Sequence, residues 1–335
     1  MNKTLGIFAL FFTVYISSCS SDVQNASFLP NAKGASGELI LILNQEHQDD
    51  ITGQVILTEL QSPCEQFLTY EPEFDVDQFD PSKISKLIKQ FRNLIIVKIA
   101  RDIKEPSTVY RRNIWANGQL VVQINGRDTS AIISQFRNQA VRIKEAFNLE
   151  DRKRYAKINR GITDPVTQEK LQNKFGISLD LPSDYFFAAE GENHLWFKNE
   201  KMEYRSGKAY QVVQNIVIKV EPFSNDSAFS KNFIIQETNT KTNAIITSSR
   251  DKGLILEKLF DPLYKEINFN DNYGVELKSL WKFEEPLMGG PFSSISIHDP
   301  KKNRIITVEG FMFAPKFNKR EYMKRLETIL YSLEF

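Results

Sequence analysis

An almost unbroken apolar run, Thr4 to Ile16, stops at Ser17-Ser18-Cys19, and this feature limits the chain more than any other. Lys3 lies just before the run. Charge, a short greasy segment and then small residues is the order of a secretory signal, which is removed before the remainder matures. The run is too short to span a bilayer comfortably, which takes about 20 residues. The side chains of Ser17 and Ser18 are small enough to let a peptidase reach the backbone. Cys19 then offers a thiol that can carry a diacylglyceryl group. On this reading residues 1–18 never join the fold, and everything that folds lies beyond them.

The string Ile16-Ser17-Ser18-Cys19 resembles the bacterial lipobox, an aliphatic residue and two small ones before Cys. The resemblance implies a lipid-anchored protein, with Cys19 as the lipidation site and the membrane as its first partner. A lipoprotein carries more than one acyl chain, and one alone holds only marginally, so the anchoring is expected to be stable. Ser20 to Gly37 is small and polar and includes Pro30, Gly34 and Gly37. With little to bury it reads as a tether, long enough to reach roughly 60 Å when extended. Only Asp22 is acidic near the lipid, so no acid-rich surface-export tag is evident. The expected location is the cell envelope, on the outer membrane facing the periplasm.

Cutting before Cys19 removes Lys3 alone and leaves 42 bases against 42 acids. A nucleic-acid partner calls for a basic excess, and there is none. Charge is nevertheless unevenly placed. Glu65 to Asp80 holds six acids and no base, and Arg137 to Arg160 holds eight bases and three acids. These are two solvated faces that pair within the fold, or the basic one faces anionic headgroups, glycans or a partner. Once Cys19 is acylated, Cys64 is the one remaining thiol, and a lone cysteine makes no internal disulfide. Stability must come from a core, for which 25 Phe, 11 Tyr and 3 Trp supply material.

Pattern along the chain predicts an α+β fold of mixed or antiparallel sheets flanked by helices, in two similar-sized halves, 38–176 and 177–335. Glu38 to Leu43 reads as a buried strand, and Asp50 opens a helix that Pro63 closes. Asp80-Pro81, a cap followed by proline, predicts a helix carrying Ile84, Leu87, Ile88 and Phe91 on one face. Leu94 to Ala100 reads as a central strand. Asn117-Gly118 is the favoured two-residue hairpin turn between Val109–Trp115 and Gln119–Ile124. Two helical stretches follow, from Asp128 through Phe147 and from Glu150 to Arg160. A third, opened by Asp164-Pro165, ends at Gly176. In the second half, strands are expected at 185–189, 194–198, 210–220, 273–283, 293–298 and 304–313. A last helix, capped by Asn318, is expected from Lys319 to Leu333.

Motifs for chemistry are sparse. His47, His194 and His298 lie far apart and show no metal-ligand spacing. The acids of Glu71–Asp80 lack the glycine and glutamate positions of a calcium loop. No GxSxG elbow is present, and Cys64 has no neighbouring base in sequence to lower its pKa, which makes it an inert buried thiol. No metal or cofactor is implied. Met288-Gly289-Gly290-Pro291-Phe292 reads as a tight turn between strands, with Trp281 beside it, and is the candidate ligand rim. Trp115, Trp196 and Trp281 are candidates for a sugar-stacking platform, with core packing as the plainer alternative.

Several strings in order carry a family resemblance. They are Leu195-Trp196-Phe197-Lys198, Ser249-Arg250-Asp251, Tyr273-Gly274-Val275-Glu276, Met288 to Phe292, Glu309-Gly310-Phe311, Ala314-Pro315-Lys316 and Lys319 to Met323. Glu71 to Asp75 and Phe91 to Ile95 fit upstream. Together they resemble the Bacteroidota lipoprotein family catalogued as domain of unknown function 4837, over nearly the whole mature chain. The resemblance implies an envelope lipoprotein and brings no assigned activity and no catalytic residues. The anchor, the tether and the lack of a reaction motif favour a non-catalytic binding or assembly factor, with an envelope protein or a cell-wall or glycan fragment as partner. The alternative is an envelope hydrolase whose active site assembles only in space.

Overall fold

The computed structural model describes residues 29–64 and 66–335. Cys19, the signal segment and the first part of the tether lie outside the described residues. The tether reading fails for its last residues. Ala32 N donates to Asn117 O at 2.9 Å and Lys33 N to Gln90 O at 2.9 Å, and Ser36 is buried. A segment poor in apolar side chains still docks here through its backbone, so the folded body begins before Glu38.

In chain order the first elements are β1 (Glu38–Ile42), α1 (Gln45–Gln48), α2 (Ile51–Leu60), β2 (Asp75–Phe79), α3 (Lys86–Lys89), β3 (Asn93–Ile99), β4 (Ser107–Arg112), β5 (Leu120–Gly126) and α4 (Thr129–Gly161). The five strands form one sheet in the order β2-β1-β3-β5-β4. β2, β1, β3 and β5 run parallel, and β4 is antiparallel to β5. Strands buried on both faces should read as near-continuous apolar runs, as Leu39–Leu43 and Leu94–Val97 do. α2 and α4 cover one face of the sheet, where Ile56 and Leu60 meet Ile132, Phe136, Ile143 and Phe147. Ile84, Ile88, Phe91 and Trp115 cover the other.

The remaining elements are α5 (Pro165–Phe175), β6 (Phe186–Glu190), β7 (His194–Arg205), β8 (Lys208–Pro222), α6 (Lys231–Glu237), α7 (Asn243–Ile245), β9 (Ile255–Leu256), β10 (Leu263–Phe269), β11 (Asn272–Phe283), β12 (Met288–Asp299), β13 (Arg304–Phe313) and α8 (Arg320–Leu330). They build an antiparallel sheet in the order β10-β11-β12-β13-β8-β7-β6, with β9 paired to β11. α5 and α8 cover one face through Leu171, Phe175, Met323, Leu326 and Ile329. The chain between β8 and β9 covers the other, with Phe229, Ile234 and Ile246. The molecule is therefore α+β, with one mixed and one antiparallel sheet.

Four expectations about local structure change. The helix after Asp80-Pro81 is broken. Pro81–Lys83 is a single 3-10 turn, Ile84 is extended, and Ser85 caps the short α3 by accepting from Ile88 N. The β4–β5 hairpin is real, but its register ends at Arg112 opposite Leu120. Its loop is therefore longer than two residues. Gly118 has φ of 78° and Asn113 of 54°, whereas Asn117 is not in the left-handed region that a two-residue turn demands. The two stretches from Asp128 to Arg160 are one helix, α4, of 33 residues. Finally, Met288–Pro291 is not a turn but the start of β12, paired with Leu280–Phe283.

α4 joins the halves. Its rise of about 1.5 Å per residue gives it a length of about 50 Å. Its apolar stripe ends at Phe147. Beyond that its buried residues are Glu150, Asp151, Tyr155 and Asn159. Tyr155 donates to Glu321 Oε1 on α8 at 3.0 Å. The first part of one helix is thus a core element, and its last part is a polar seam against the second half.

Candidate functional site

The seam opens into a cleft of about 830 Å³, lined by α2 and the segment after it, α4, β10, β11 and α8. That volume lies within the common range for small-molecule sites. Seam and cleft are held together by carboxylates from the first half. Glu71, 3 % exposed, accepts Lys319 N at 2.7 Å and Arg320 N at 2.8 Å. It does for α8 what an N-cap side chain does, satisfying first-turn donors and opposing the positive helix end. The expected cap, Asn318, has no such role, and the local N-cap position is Lys319, with no side-chain bond. Asp75 pairs with Arg320, which also donates to Pro72 O at 2.7 Å.

Asp151 is the second anchor. Its Oδ2 accepts Ser36 Oγ at 2.9 Å and Gly37 N at 3.0 Å, and its Oδ1 accepts from Arg154. Gly37 has φ of 75°, and a Cβ there would meet the Arg320 guanidinium at 3.0 Å. Both its conformation and the close approach call for glycine. The uneven charge seen in the sequence is partly resolved here. Glu73, from the acidic segment, lies 3.3 Å from Lys144 of the basic helix and accepts Asn148 Nδ2 at 2.8 Å.

Most charges lining the cleft are already engaged. Lys144 also sits 2.9 Å from Glu59. Burial works against its charge, but Glu59 and Glu73 outweigh it and raise its pKa. Lys278 donates to Glu327 at 2.6 Å and lies 3.7 Å from Glu276. Here too burial is overcome by the two carboxylates, and the pKa rises. Tyr331 donates to Glu276 Oε1 at 3.0 Å.

Lys324 departs from this pattern. Its side chain is 16 % exposed, and among the described residues its Nζ is buried with no hydrogen-bond partner. The nearest carboxylate oxygen, Asp151 Oδ2, is 3.6 Å away and already accepts two other donors. Burial pulls the Lys324 pKa down, Asp151 opposes this, and Arg320 adds to the fall. Cys64 lines the same cleft. Burial pushes its thiol up to about 11, helped by Glu73 and opposed by Lys324 and Arg320. A thiol with that pKa is protonated at neutral pH and is a poor nucleophile.

The expected ligand rim lies elsewhere. Trp281 and Phe292 are 3 % and 0 % exposed and belong to the apolar layer behind the second sheet. Trp281 Nε1 donates to Met312 O at 3.0 Å. A Cβ on Gly290 would lie 2.1 Å from Met312 O, and one on Gly289 2.6 Å from Trp281 O. These glycines allow close strand approach, and Met288, Gly289, Gly290, Pro291, Phe292 and Trp281 do not line the cleft. Trp196 donates to Asn215 Oδ1, and Trp115 packs behind the first sheet under Lys89. Among the described residues, no group of three or more His, Cys, Asp or Glu side chains is placed to hold a metal ion. Likewise, no helix among them is long and apolar enough to cross a membrane. The cleft residues were missed in sequence because they come from five separated segments. The one available signal was the matched excess of acid at 65–80 and of base at 137–160.

Fold and cleft define a two-part α+β protein with a polar seam between its parts. The family model described as Domain of unknown function (DUF4837) matches residues 164–332, and the chain belongs to that family. A second model, Domain of unknown function (DUF8532), matches residues 32–160. The resemblance expected over nearly the whole mature chain therefore divides, and Glu71–Asp75 and Phe91–Ile95 fall under the second model. No curated protein matches the chain. Among solved structures, the chain is similar to the Saccharomyces cerevisiae Ran-binding protein Mog1p, at 10 % identity and a TM-score of 0.31, covering 48 % of this chain and 90 % of that one. It is also similar to a structure from Bacteroides thetaiotaomicron, at 15 % identity and a TM-score of 0.24, covering 47 % of this chain and 44 % of that one. TM-scores this low carry no functional argument.

Proposed function

We propose that this is a lipid-anchored envelope protein that binds a ligand without transforming it, and that the cleft between its halves is the binding site. One observation supports binding most directly, namely a cleft of ligand size whose carboxylates are already engaged by lysines and whose thiol is held protonated. Such a wall can select and orient, and among the described residues it presents neither a carboxylate free of an ion pair nor an activated thiol. Anchoring rests on the signal-like run and Cys19. The ligand would be an envelope component, either a small molecule or a cell-wall or glycan fragment.

Two experiments test this reading. Cys19→Ser should move the protein from the membrane fraction to the soluble fraction; unchanged fractionation would refute the anchor. Native mass spectrometry of the protein purified from gently solubilised envelopes should reveal a bound small molecule or fragment. Repeated recovery of the bare chain would count against the binding site.

A further inference from the structure

We infer that the face of the first sheet that carries α3 lies against an anionic phospholipid surface, held there by the anchor and by exposed lysines. This goes beyond the anchoring reading above and rests on it. The first argument is where the chain enters the folded body. Leu29 is ten residues beyond Cys19, so a lipid on Cys19 lies within about 35 Å of it even at full extension. From Pro30 onward the chain is fixed beside α3. Asn117 N donates to Pro30 O at 2.8 Å. Lys33 N donates to Gln90 O and Lys33 O accepts Arg92 N, each at 2.9 Å. Gln90 follows directly on α3 (Lys86–Lys89). The short link to the lipid therefore leaves the body next to this face.

Charge is the second argument. Ile84, Ile88 and Phe91 pack down onto the sheet and leave Lys83, Lys86 and Leu87 exposed, Leu87 by 56 %. Side chains alternate along a strand. Lys98 therefore shares this face with Leu94 and Ile96 on β3, and Arg111 points to it because Tyr110 packs on the other. Lys33 and Lys89 complete a set of six bases. Arg111 donates to Gln123 and Lys89 lies over Trp115, and none of the six forms an ion pair among the described residues. The acids here are Glu38, Asp77 and Asp80, and Asp80 already accepts Gln45 N and Ser82 N. Since the mature chain is balanced overall, the excess of base is local. Each lysine brought to an anionic surface shifts the docked-to-free ratio about fivefold, and a leucine set among lysines suits the headgroup layer. α2, α4 and the cleft they line are on the opposite face of the sheet, so docking this face leaves the cleft open to water.

The test places the full protein, purified from membranes, in vesicles of phosphatidylcholine alone or mixed with phosphatidylglycerol. Flotation with the vesicles reads the anchor, and amide hydrogen exchange followed by mass spectrometry reads the docked face. In the mixed vesicles residues 81–92 should exchange about fivefold more slowly than in phosphatidylcholine alone. Salt at about 1 M, where charges act only within about 3 Å, should remove that difference. Lys33→Gln, Lys83→Gln and Lys86→Gln combined should remove it too, with flotation unchanged. Lys89 is kept because it packs over Trp115, and denaturant unfolding should show the triple variant folded. Floating protein whose residues 81–92 exchange alike in both vesicles would overturn the anionic contact and leave the anchor standing. Slowing confined to residues 137–160 would overturn it as well and move the contact to α4. Protein that does not float would overturn the anchor and this inference together.

Discussion

Lys219 and Lys324 are both largely withdrawn from water, on opposite faces of the second sheet, yet they are treated very differently. Lys219 donates to Glu309 at 2.6 Å and to Thr242 Oγ1 at 2.8 Å. Glu309 in turn accepts Thr238 Oγ1 at 3.2 Å and Thr242 Oγ1 at 2.7 Å. The two threonines come from a π turn, Thr238–Thr242, that closes over the sheet. Every charged atom in that circuit has a protein partner, so the network locks the turn to the strands and leaves nothing for a ligand. Lys324 lines an open cleft and lacks such a circuit. A buried charge held in a closed circuit of hydrogen bonds specifies packing, whereas one paired only at 3.6 Å with Asp151 and over the Phe74 ring at 5.0 Å leaves its seam more loosely specified.

The sharpest way to break this contrast is Glu309→Gln, which leaves the Lys219 charge buried without its counter-ion. Breaking a buried pair on one side costs about 3–5 kcal/mol, and denaturant unfolding should register that loss. A change below about 1 kcal/mol would mean that the circuit does not need its charge. Asp151→Asn comes next. It weakens the seam's central carboxylate, but Arg154 keeps Gly118 O at 2.9 Å and Asn93 Oδ1 at 3.2 Å, so about 2 kcal/mol is expected by the same measurement. Glu71→Gln should cost about 1 kcal/mol, the usual worth of a helix cap. Its loss should show as faster amide exchange in the first turn of α8.

The smallest effect is expected for Lys324→Met, within about 1 kcal/mol of the parent at neutral pH, because a loosely paired buried charge adds little stability. Its pH dependence sharpens the comparison. The folded-state pKa of Lys324 lies below its unfolded value, so between the two the unfolded chain holds more protons. The contribution of this group to stability therefore rises as pH climbs from the lowered folded pKa toward about 10.4. The stability of the parent relative to Lys324→Met should grow over that window, and a flat difference would show that the lysine is not held in the disfavoured state.

Where one segment carried its own signal, the sequence was readable. The apolar run Leu39–Leu43, the cap-and-proline start of α5 at Asp164-Pro165 and its left-handed end at Gly176 each depend on neighbouring residues, and the structure has them in place. The α+β class followed from the irregular order of such segments. Misreadings arose where a local signal was weak or incomplete. Ser85 interrupts the helix after Asp80, and Asn117-Gly118 lies in a longer loop tied down from elsewhere: Asn117 N donates to Pro30 O, Gly118 N to Asn113 Oδ1, and Gly118 O accepts from Arg154.

Tertiary structure alone decided the seam. The residue that caps α8 is Glu71, 248 positions before Lys319, and no window of sequence holds both. Gly289 and Gly290 look like a turn when read alone and are strand because they pair with Lys282 and Trp281 of β11, at an approach of Trp281 and Met312 too close for a side chain. The amino-acid order by itself determined the elements, their faces and the chemistry available to them, since these depend on propensities and periods of a few residues. Which charges meet, and which lysine makes no hydrogen bond among the described residues, depended on how the two sheets come together across α4.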